Sequence, residues 1–325
     1  MKIDVHAHYA PESCLGILQE AISALSDSTS PTSVEAARRI RSSFSRSTLL
    51  SDLQDRLALM DRDGVTYQVL SLPAVNAYPL REEHSLALTR SANDGLAAAR
   101  DRHPDRFMCL ATVPAEIPEA AVAELDRAII HLGMNGLMIG ANILGKPLNV
   151  PELQPLFQRA DSLGIPVMLH PTEPPGLEAM LEYDLAVVVG YLFDSTLAVT
   201  RMILDGMLDR FKSIKLIAPH LGGALPYIVG RIAWKFPEKP DAFKALSRPP
   251  QEYLRLIHTD VVSFHVPALR CAIDTMGIDR LVLGSDYPPC RDGMAQALAS
   301  LKELRLSAED EEKIFGLNAR RLLGI

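Results

Sequence analysis

The first predicted strand of this chain is the stretch IDVHAH at positions 3–8. It is mostly apolar and carries two histidines, His6 and His8, near its end. Residues two apart on a strand point to the same side, so both imidazoles face the same way. A nucleotide-binding doubly wound fold would have a glycine-rich phosphate loop directly after this strand. The chain has His-Ala-His-Tyr there instead, which disfavours that fold.

Seven further apolar runs follow, and helical patterns separate them. They are continuous rather than alternating, as expected for parallel strands that are covered on both faces. The eight runs are Ile3–His8, Tyr67–Pro73, Phe107–Pro114, Gly136–Ala141, Pro166–His170, Lys215–His220, His258–Ser263 and Leu281–Tyr287. Eight strand–helix units of about 35–45 residues predict an α/β fold of the (β/α)8 TIM-barrel type, with an open doubly wound sheet as the alternative.

The composition fits one globular domain over residues 1–325. The hydrophobic share is 48% and the charged share is 22%, which excludes a disordered, collagen-like or coiled-coil chain. An α/β barrel commonly uses about 250 residues or more as a single domain. Residues 11–47 differ, because they are rich in serine and contain a group of arginines. We expect a small insertion after strand 1 that acts as a lid or an interface, with a plain surface loop as the alternative.

The net charge and the cysteine content indicate which kinds of partner and which cellular compartment to expect. The net charge of −7 disfavours a nucleic-acid-binding protein, which normally has a basic excess. Four cysteines lie far apart without a CxxC pair, which disfavours a disulfide framework and a thiolate zinc site. The first residues lack the apolar core of a signal peptide, and no apolar run of about 18 residues is present. The sequence therefore predicts a cytoplasmic protein without a nucleic-acid or membrane partner.

Ionisable side chains stand at the carboxyl ends of four predicted strands. They are His6 and His8 on the first, His170 on the fifth, His220 on the sixth and Asp286 on the eighth. In an α/β barrel these ends meet at one mouth, where active sites form. Imidazole and carboxylate groups are ligands for divalent metals such as zinc. A single histidine can be a core residue, but this distribution indicates a metal site.

The combination resembles the amidohydrolase superfamily, in particular the branch of α-amino-β-carboxymuconate-ε-semialdehyde decarboxylase and γ-resorcylate decarboxylase. The resemblance covers essentially the whole chain. The motifs that carry it are IDVHAH at 3–8, LHP at 169–171, HLGG at 220–223, GR at 230–231, LGSDYP at 283–288 and NARRLL at 318–323.

The resemblance implies roles for these residues. His6, His8, His170 and Asp286 would hold one divalent metal, zinc in first place and manganese as the alternative, and His220 would act as the acid/base. Binuclear members of the superfamily use a lysine after strand four to bridge two metals. The corresponding stretch here, GLMIGAN at 136–142, has no lysine, which indicates one metal. The HxH motif, rather than ExH, favours an aminocarboxymuconate-type site and zinc.

Four further residues are candidates for binding the substrate. The resemblance implies that Arg231 binds a substrate carboxylate, in some members across a homodimer interface, and a guanidinium suits a carboxylate bidentately. A second arginine is expected before strand two, where Arg46 and Arg41 are candidates. Phe264, after strand seven, is a candidate for the wall of the pocket. We therefore expect a homodimer that binds a small-molecule carboxylate.

The expected function is that of a metal-dependent, non-oxidative decarboxylase of an aromatic or unsaturated carboxylic acid, which is a carbon–carbon lyase. The same site would also serve a hydrolase of a lactone or amide, or a hydratase of an unsaturated dicarboxylate. In the hydrolase, Asp286 would share the proton transfer. The third hypothesis is a barrel that binds a partner without catalysis. It gives no function to the five potential metal ligands at the strand ends.

Overall fold

The computed structural model describes residues 1–26, 52–73, 78 and 80–325. Eight parallel strands form its centre: β1 Ile3–His8, β2 Tyr67–Ser71, β3 Phe107–Ala111, β4 Gly136–Gly140, β5 Pro166–His170, β6 Lys215–Ile217, β7 Thr259–Asp260 and β8 Leu281–Val282. The first six form one sheet in sequence order, and β7 pairs with β8.

Two isolated bridges join these two sheets into a ring. Ile217 bridges to His258 beside β7, and Ala7 of β1 bridges to Tyr287 beyond β8, both in parallel. The backbone nitrogen of Val5 also donates to the carbonyl oxygen of Leu283 at 2.9 Å. The ring has the strand order of an α/β TIM barrel, and the predicted fold class is confirmed at this level.

Six of the eight strands end before their predicted runs do, and among them are the last three. β6 ends at Ile217, and β7 and β8 contain two residues each. Beyond them, His220, Phe264 and Asp286 have positive φ values of 55°, 56° and 54°. Extended pairing cannot continue through such residues, because the left-handed region turns the backbone. The strands therefore stop before the side chains that the sequence placed at their ends.

Helices form the outer layer. They are α1 Ser13–Ser26, α2 Leu53–Asp63, α3 Glu82–Arg102, α4 Pro118–Asp126, α5 Gln154–Leu163, α6 Tyr191–Leu204, α7 Leu225–Lys235, α8 Val266–Met276, α9 Gly293–Leu304, α10 Ala308–Glu312 and α11 Asn318–Leu323. Short helical turns lie at Met207–Arg210, Pro219–Gly222 and Pro250–Tyr253, and a small hairpin pairs Asn142–Ile143 with Lys146–Pro147.

The outer helices bury one stripe each. On α5, Leu156, Phe157 and Ala160 are buried at the spacing of one helix face. Ser307 caps the start of α10, because its side chain accepts a hydrogen bond from the Asp310 backbone nitrogen at 3.1 Å. These local features follow directly from the sequence pattern.

Part of the predicted insertion is a helix. Within residues 11–47, α1 buries Cys14, Leu18 and Ile22, and Ser13 contacts Ser91 of α3. The helix therefore packs in the outer layer. The candidate residues Arg41 and Arg46 lie outside the described residues, and the lid or interface role of this segment stays a prediction.

One helical stretch, Ala186–Leu204, is long and apolar enough to cross a membrane by length and composition, and 44% of its apolar window is buried in the protein. Helices that pack on a core pass the same test. On one face α6 buries Ser195, Val199 and Met202. Asp194 accepts a hydrogen bond from the Thr172 backbone nitrogen at 2.9 Å, which fixes the chain after β5. The helix thus has one face bound to the barrel.

Candidate metal centre and substrate pocket

The two histidines of β1 are completely buried and point to the same place, as the alternation of the strand predicts. His6 Nε2 lies 3.2 Å from His8 Nε2. The Asp286 Oδ1 atom lies 3.1 Å from His8 Nε2 and 3.4 Å from His6 Nε2. Tetrahedral ligands about 2.1 Å from a zinc ion would be roughly 3.4 Å apart, so these spacings suit one divalent cation.

His170 and His220 complete the cluster. One ligand atom each from His6, His170, His220 and Asp286 lie within 4.8 Å of one another. The rings of His8 and His170 are 4.8 Å apart between centroids. The structure thus brings together all five residues that the sequence placed at strand ends.

The outer nitrogens of three imidazoles are held by the protein. His6 Nδ1 donates to Asp260 Oδ2 at 2.7 Å, and His170 Nδ1 donates to the Pro171 carbonyl oxygen at 2.9 Å. His8 Nδ1 lies 3.3 Å from the hydroxyl oxygen of Ser71, the last residue of β2. With Nδ1 held in this way, each Nε2 faces the centre, as in metal-ligating histidines.

The electrostatics favour a positive charge in the cluster. Burial alone would raise the pKa of the Asp286 carboxyl, but His6, His220 and His8 hold it well below its usual range. Burial alone would lower the pKa of His6, but Asp286 and Asp260 raise it to about 9. Burial lowers the pKa of His8, and it lowers that of His170 well below the ordinary value. Neutral imidazoles beside a strongly acidic carboxylate suit cation binding, which would displace the His6 proton.

Asp260 is a site residue that the sequence reasoning missed. It is completely buried in β7, and its Oδ1 accepts from the backbone nitrogens of His220 at 2.8 Å and Val262 at 3.0 Å. Gly284 allows this approach, because a Cβ there would meet the Asp260 Cβ at 2.8 Å and the His6 Cβ at 3.2 Å. The available signal was an acid inside the predicted strand His258–Ser263.

Replacing Asp260 with asparagine is expected to weaken metal binding by about 10–100-fold, because His6 Nδ1 loses its carboxylate partner. Metal competition with a chelator measures this change. Asp279→Asn is the matched control, since the Asp279 side chain is 59% exposed. Equal metal affinity for Asp260→Asn and the control would contradict an orienting role for Asp260.

His220 occupies a tight backbone turn. Its φ of 55° and ψ of 51° lie in the left-handed region, which costs free energy in a non-glycine residue. The hydrogen bond from its backbone nitrogen to Asp260 holds this turn. Its Nε2 lies 3.7 Å from Asp286 Oδ2, and its buried Nδ1 has no hydrogen-bond partner within the described part of the chain. The ring therefore faces the cluster with one nitrogen.

Gly140, the last residue of β4, has no room for a side chain. A Cβ on Gly140 would meet the Tyr78 ring at 2.6 Å and the Thr172 methyl at 2.7 Å. Nearby, the Asn142 amide donates to Asp194 Oδ1 at 2.9 Å. The packing at Gly140 agrees with the prediction of one metal rather than two.

A cavity of about 940 Å³ opens above the cluster. Its floor includes His8, His170, His220 and Asp286. The other lining side chains are mostly apolar or aromatic and include Val187, Val188, Leu192, Tyr227, Val262 and Phe264. A mostly apolar pocket with a few convergent polar groups is typical of small-molecule sites.

Of the residues predicted to bind the substrate, Phe264 lines the cavity and Arg231 does not. Phe264 belongs to the wall of the cavity, as expected. Arg231 is exposed on α7 and does not line the cavity in the described part of this chain. Asp184 and His265, at the mouth, were not predicted to line it.

The amidohydrolase family model matches residues 3–325. The chain belongs to the amidohydrolase family. This amidohydrolase is 32% identical over 333 aligned residues to the 2-amino-3-carboxymuconate-6-semialdehyde decarboxylase of Dictyostelium discoideum, with 100% of this chain and 92% of the relative covered. It is also 32% identical over 292 residues to the γ-resorcylate decarboxylase of Rhizobium radiobacter, with 84% and 88% covered.

Among solved structures, the amidohydrolase is similar to 5-carboxyvanillate decarboxylase from Sphingomonas paucimobilis. The TM-score is 0.87 at 26% identity, and 100% of this chain and 99% of that chain are covered. The predicted family and branch are confirmed. The predicted enzyme class, a metal-dependent decarboxylase acting as a lyase, agrees with these relatives.

Proposed function

We propose that this amidohydrolase catalyses the non-oxidative decarboxylation of an aromatic carboxylic acid, with one divalent metal at the floor of its cavity. The observation that carries the proposal is the cluster of four histidines and Asp286 beneath an apolar cavity. The decarboxylase relatives support the reaction type.

His6, His8, His170 and Asp286 would hold the metal. Three imidazole nitrogens and one carboxylate oxygen form a donor set that suits zinc, and we propose zinc ahead of manganese. When bound, the metal supplies a Lewis acid that fixes and polarises the oxygens of the substrate. Asp260, Ser71 and the Pro171 carbonyl keep the three imidazoles aimed at the centre.

His220 would transfer the proton. Its Nε2 delivers a proton to the ring carbon that bears the carboxylate, which interrupts the conjugation of the ring. The bond from that carbon to the carboxylate then breaks, carbon dioxide leaves, and the electron pair restores the conjugation. The apolar wall that includes Val262 and Phe264 excludes water and holds the ring in place.

Release of carbon dioxide tests the proposal. The zinc-loaded and manganese-loaded proteins are incubated with hydroxylated benzoic acids that carry one or two carboxylates, and with a panel of lactones and amides. We expect carbon dioxide from at least one aromatic acid, and none after chelator treatment. Hydrolysis of a lactone or amide without any release of carbon dioxide would overturn the proposal and favour the hydrolase.

We also propose that the protein is a homodimer. Exposed apolar side chains include Val188 and Phe193, which are 57% and 56% exposed, and Tyr227 and Trp234 on α7 at 86% and 55%, and Val188 and Tyr227 both line the cavity. A second copy would cover such a surface, and Arg231 between Tyr227 and Trp234 would then reach the carboxylate of a substrate in the partner's cavity. Light scattering that gives the mass of a single chain would refute this.

A cytoplasmic location is proposed as well. All four cysteines are unpaired in the structure, as in reducing compartments. Cell fractionation tests it.

A further inference from the structure

Arg56 on α2 is 1% exposed and is the largest fully buried side chain in the described part of the protein. Burial lowers its pKa to about 10, so the guanidinium keeps its charge at neutral pH. None of its hydrogen-bond partners among the described residues is a carboxylate. A buried charge without an ion pair costs free energy, and hydrogen bonds must compensate for that cost.

These contacts lie directly behind the metal centre. Arg56 Nη1 donates to Gln68 Oε1 at 2.6 Å, and Nη2 donates to the carbonyl oxygen of His8 at 2.5 Å. The guanidinium also lies over the ring of Tyr287, 4.6 Å from its centroid. Tyr287 directly follows Asp286. One side chain thus touches the end of β1, the strand β2 and the segment beyond β8.

Gln68 extends this contact to the start of the metal-binding strand. Its Nε2 donates to Asp4 Oδ2 at 2.7 Å. Asp4 also accepts from the Ser285 hydroxyl at 2.6 Å and from the backbone nitrogen of His6 at 3.2 Å. Asp4 is completely buried, and Gln68 and Ser285 are 5% and 2% exposed. The chain of hydrogen bonds therefore holds the backbone beside His6, His8 and Asp286.

We propose that Arg56 is a positioning residue for the metal centre, which fixes the end of β1 against β2 and the segment beyond β8 and so sets the spacing of His6, His8 and Asp286. The inference rests on the proposed function, because it takes these three residues as metal ligands. The planar guanidinium holds two acceptors on different strands at a fixed geometry. A lysine has a single ammonium group on a flexible stem and cannot hold both acceptors in this way.

Arg56 is expected to affect the binding of metal and not the binding of substrate. Arg56 does not line the cavity, and its side chain contacts the backbone of His8 rather than its ring. A change at Arg56 should therefore alter the affinity for metal, while the KM for substrate stays the same at saturating metal. A residue that only stabilises the fold would change the melting temperature and leave the metal affinity unaltered.

The test compares Arg56→Met and Arg56→Lys with the wild type, by chelator competition for zinc and by thermal melting of the metal-free proteins. We expect zinc binding to weaken by about 10–100-fold in Arg56→Met and by about 10-fold in Arg56→Lys. Leu125→Ala is the control, because Leu125 is completely buried on α4 and its loss destabilises the fold. Its zinc affinity should equal that of the wild type.

Wild-type zinc affinity in folded Arg56→Met would overturn the inference and leave the proposed function standing. If Arg56→Met does not fold, Arg56→Lys decides by the same criterion, and unchanged affinity again overturns the inference. A wild-type protein that binds neither zinc nor manganese would overturn both the inference and the proposed function.

Discussion

Replacing both His6 and His8 with alanine is expected to remove the bound metal and to lower kcat/KM for decarboxylation by about 10⁴-fold. The two Nε2 atoms lie 3.2 Å apart and both approach Asp286 Oδ1, so the double variant removes two of the four proposed ligands. Losing the metal forfeits several kcal/mol of charge stabilisation, and each 1.4 kcal/mol corresponds to about a tenfold change in rate.

Elemental analysis of protein purified without chelator measures the first part of this prediction, and carbon dioxide release measures the second. We expect about one zinc per chain in the wild type and none in the double variant. A double variant of His84 and His131 to alanine is the matched control, because His84 lies on α3 and His131 ends the helical turn Arg127–His131 that follows α4. Two metals per wild-type chain would contradict the one-metal site and favour hydrolysis. Full metal content in the His6/His8 variant would contradict the ligand assignment.

Replacing His220 with asparagine is expected to lower kcat by about 10²–10⁴-fold and to leave the metal content at one per chain. The side chain of asparagine cannot transfer a proton in place of the imidazole, and general acid–base catalysis typically contributes an effect of about this size. Asparagine is tolerated in the left-handed region, so the turn at φ 55° and the backbone hydrogen bond to Asp260 should persist. The loss should therefore appear in the chemical step.

His265→Asn is the comparison variant, since His265 lines the mouth of the cavity and stands outside the group of ligand atoms around Asp286. Its kcat should stay within a few-fold of the wild type. Loss of metal from His220→Asn would instead indicate that His220 is a metal ligand. A ligand atom of His220 lies within 4.8 Å of those of His6, His170 and Asp286, so the geometry also allows that role. An unchanged kcat would remove His220 from the proposed mechanism altogether.

The decarboxylase and hydrolase hypotheses place different demands on this site. A binuclear hydrolase needs a second metal and a bridging side chain near the end of β4, and the crowding at Gly140 opposes one there. A mononuclear decarboxylase needs a proton donor and a pocket for a ring, for which His220 and the wall at Phe264 are suitable. The packing at Gly140 therefore opposes a binuclear hydrolase, and the decarboxylase relatives favour decarboxylation over hydrolysis at the same single-metal site.

The sequence by itself determined the fold class and the five residues of the candidate metal centre. Apolar runs separated by helical patterns predict strands locally, and the alternation along β1 dictates that His6 and His8 face the same side. In a barrel, all strand ends of one direction meet at one mouth, so His170, His220 and Asp286 had to approach the histidines of β1. These conclusions need only local periodicity and one topological rule.

Only the tertiary structure decided how the cluster is held. The bond between His6 and Asp260 joins residues 254 positions apart, and the contact of Arg56 with His8 joins residues 48 apart. No local pattern encodes such partners, because they depend on which strands and helices become neighbours. The turns at His220 and Asp286 are likewise set by distant hydrogen bonds, from His220 to Asp260 and from the Asp286 backbone to the His6 carbonyl at 2.8 Å. The sequence determines which side chains can bind the metal, and long-range packing determines how they are oriented.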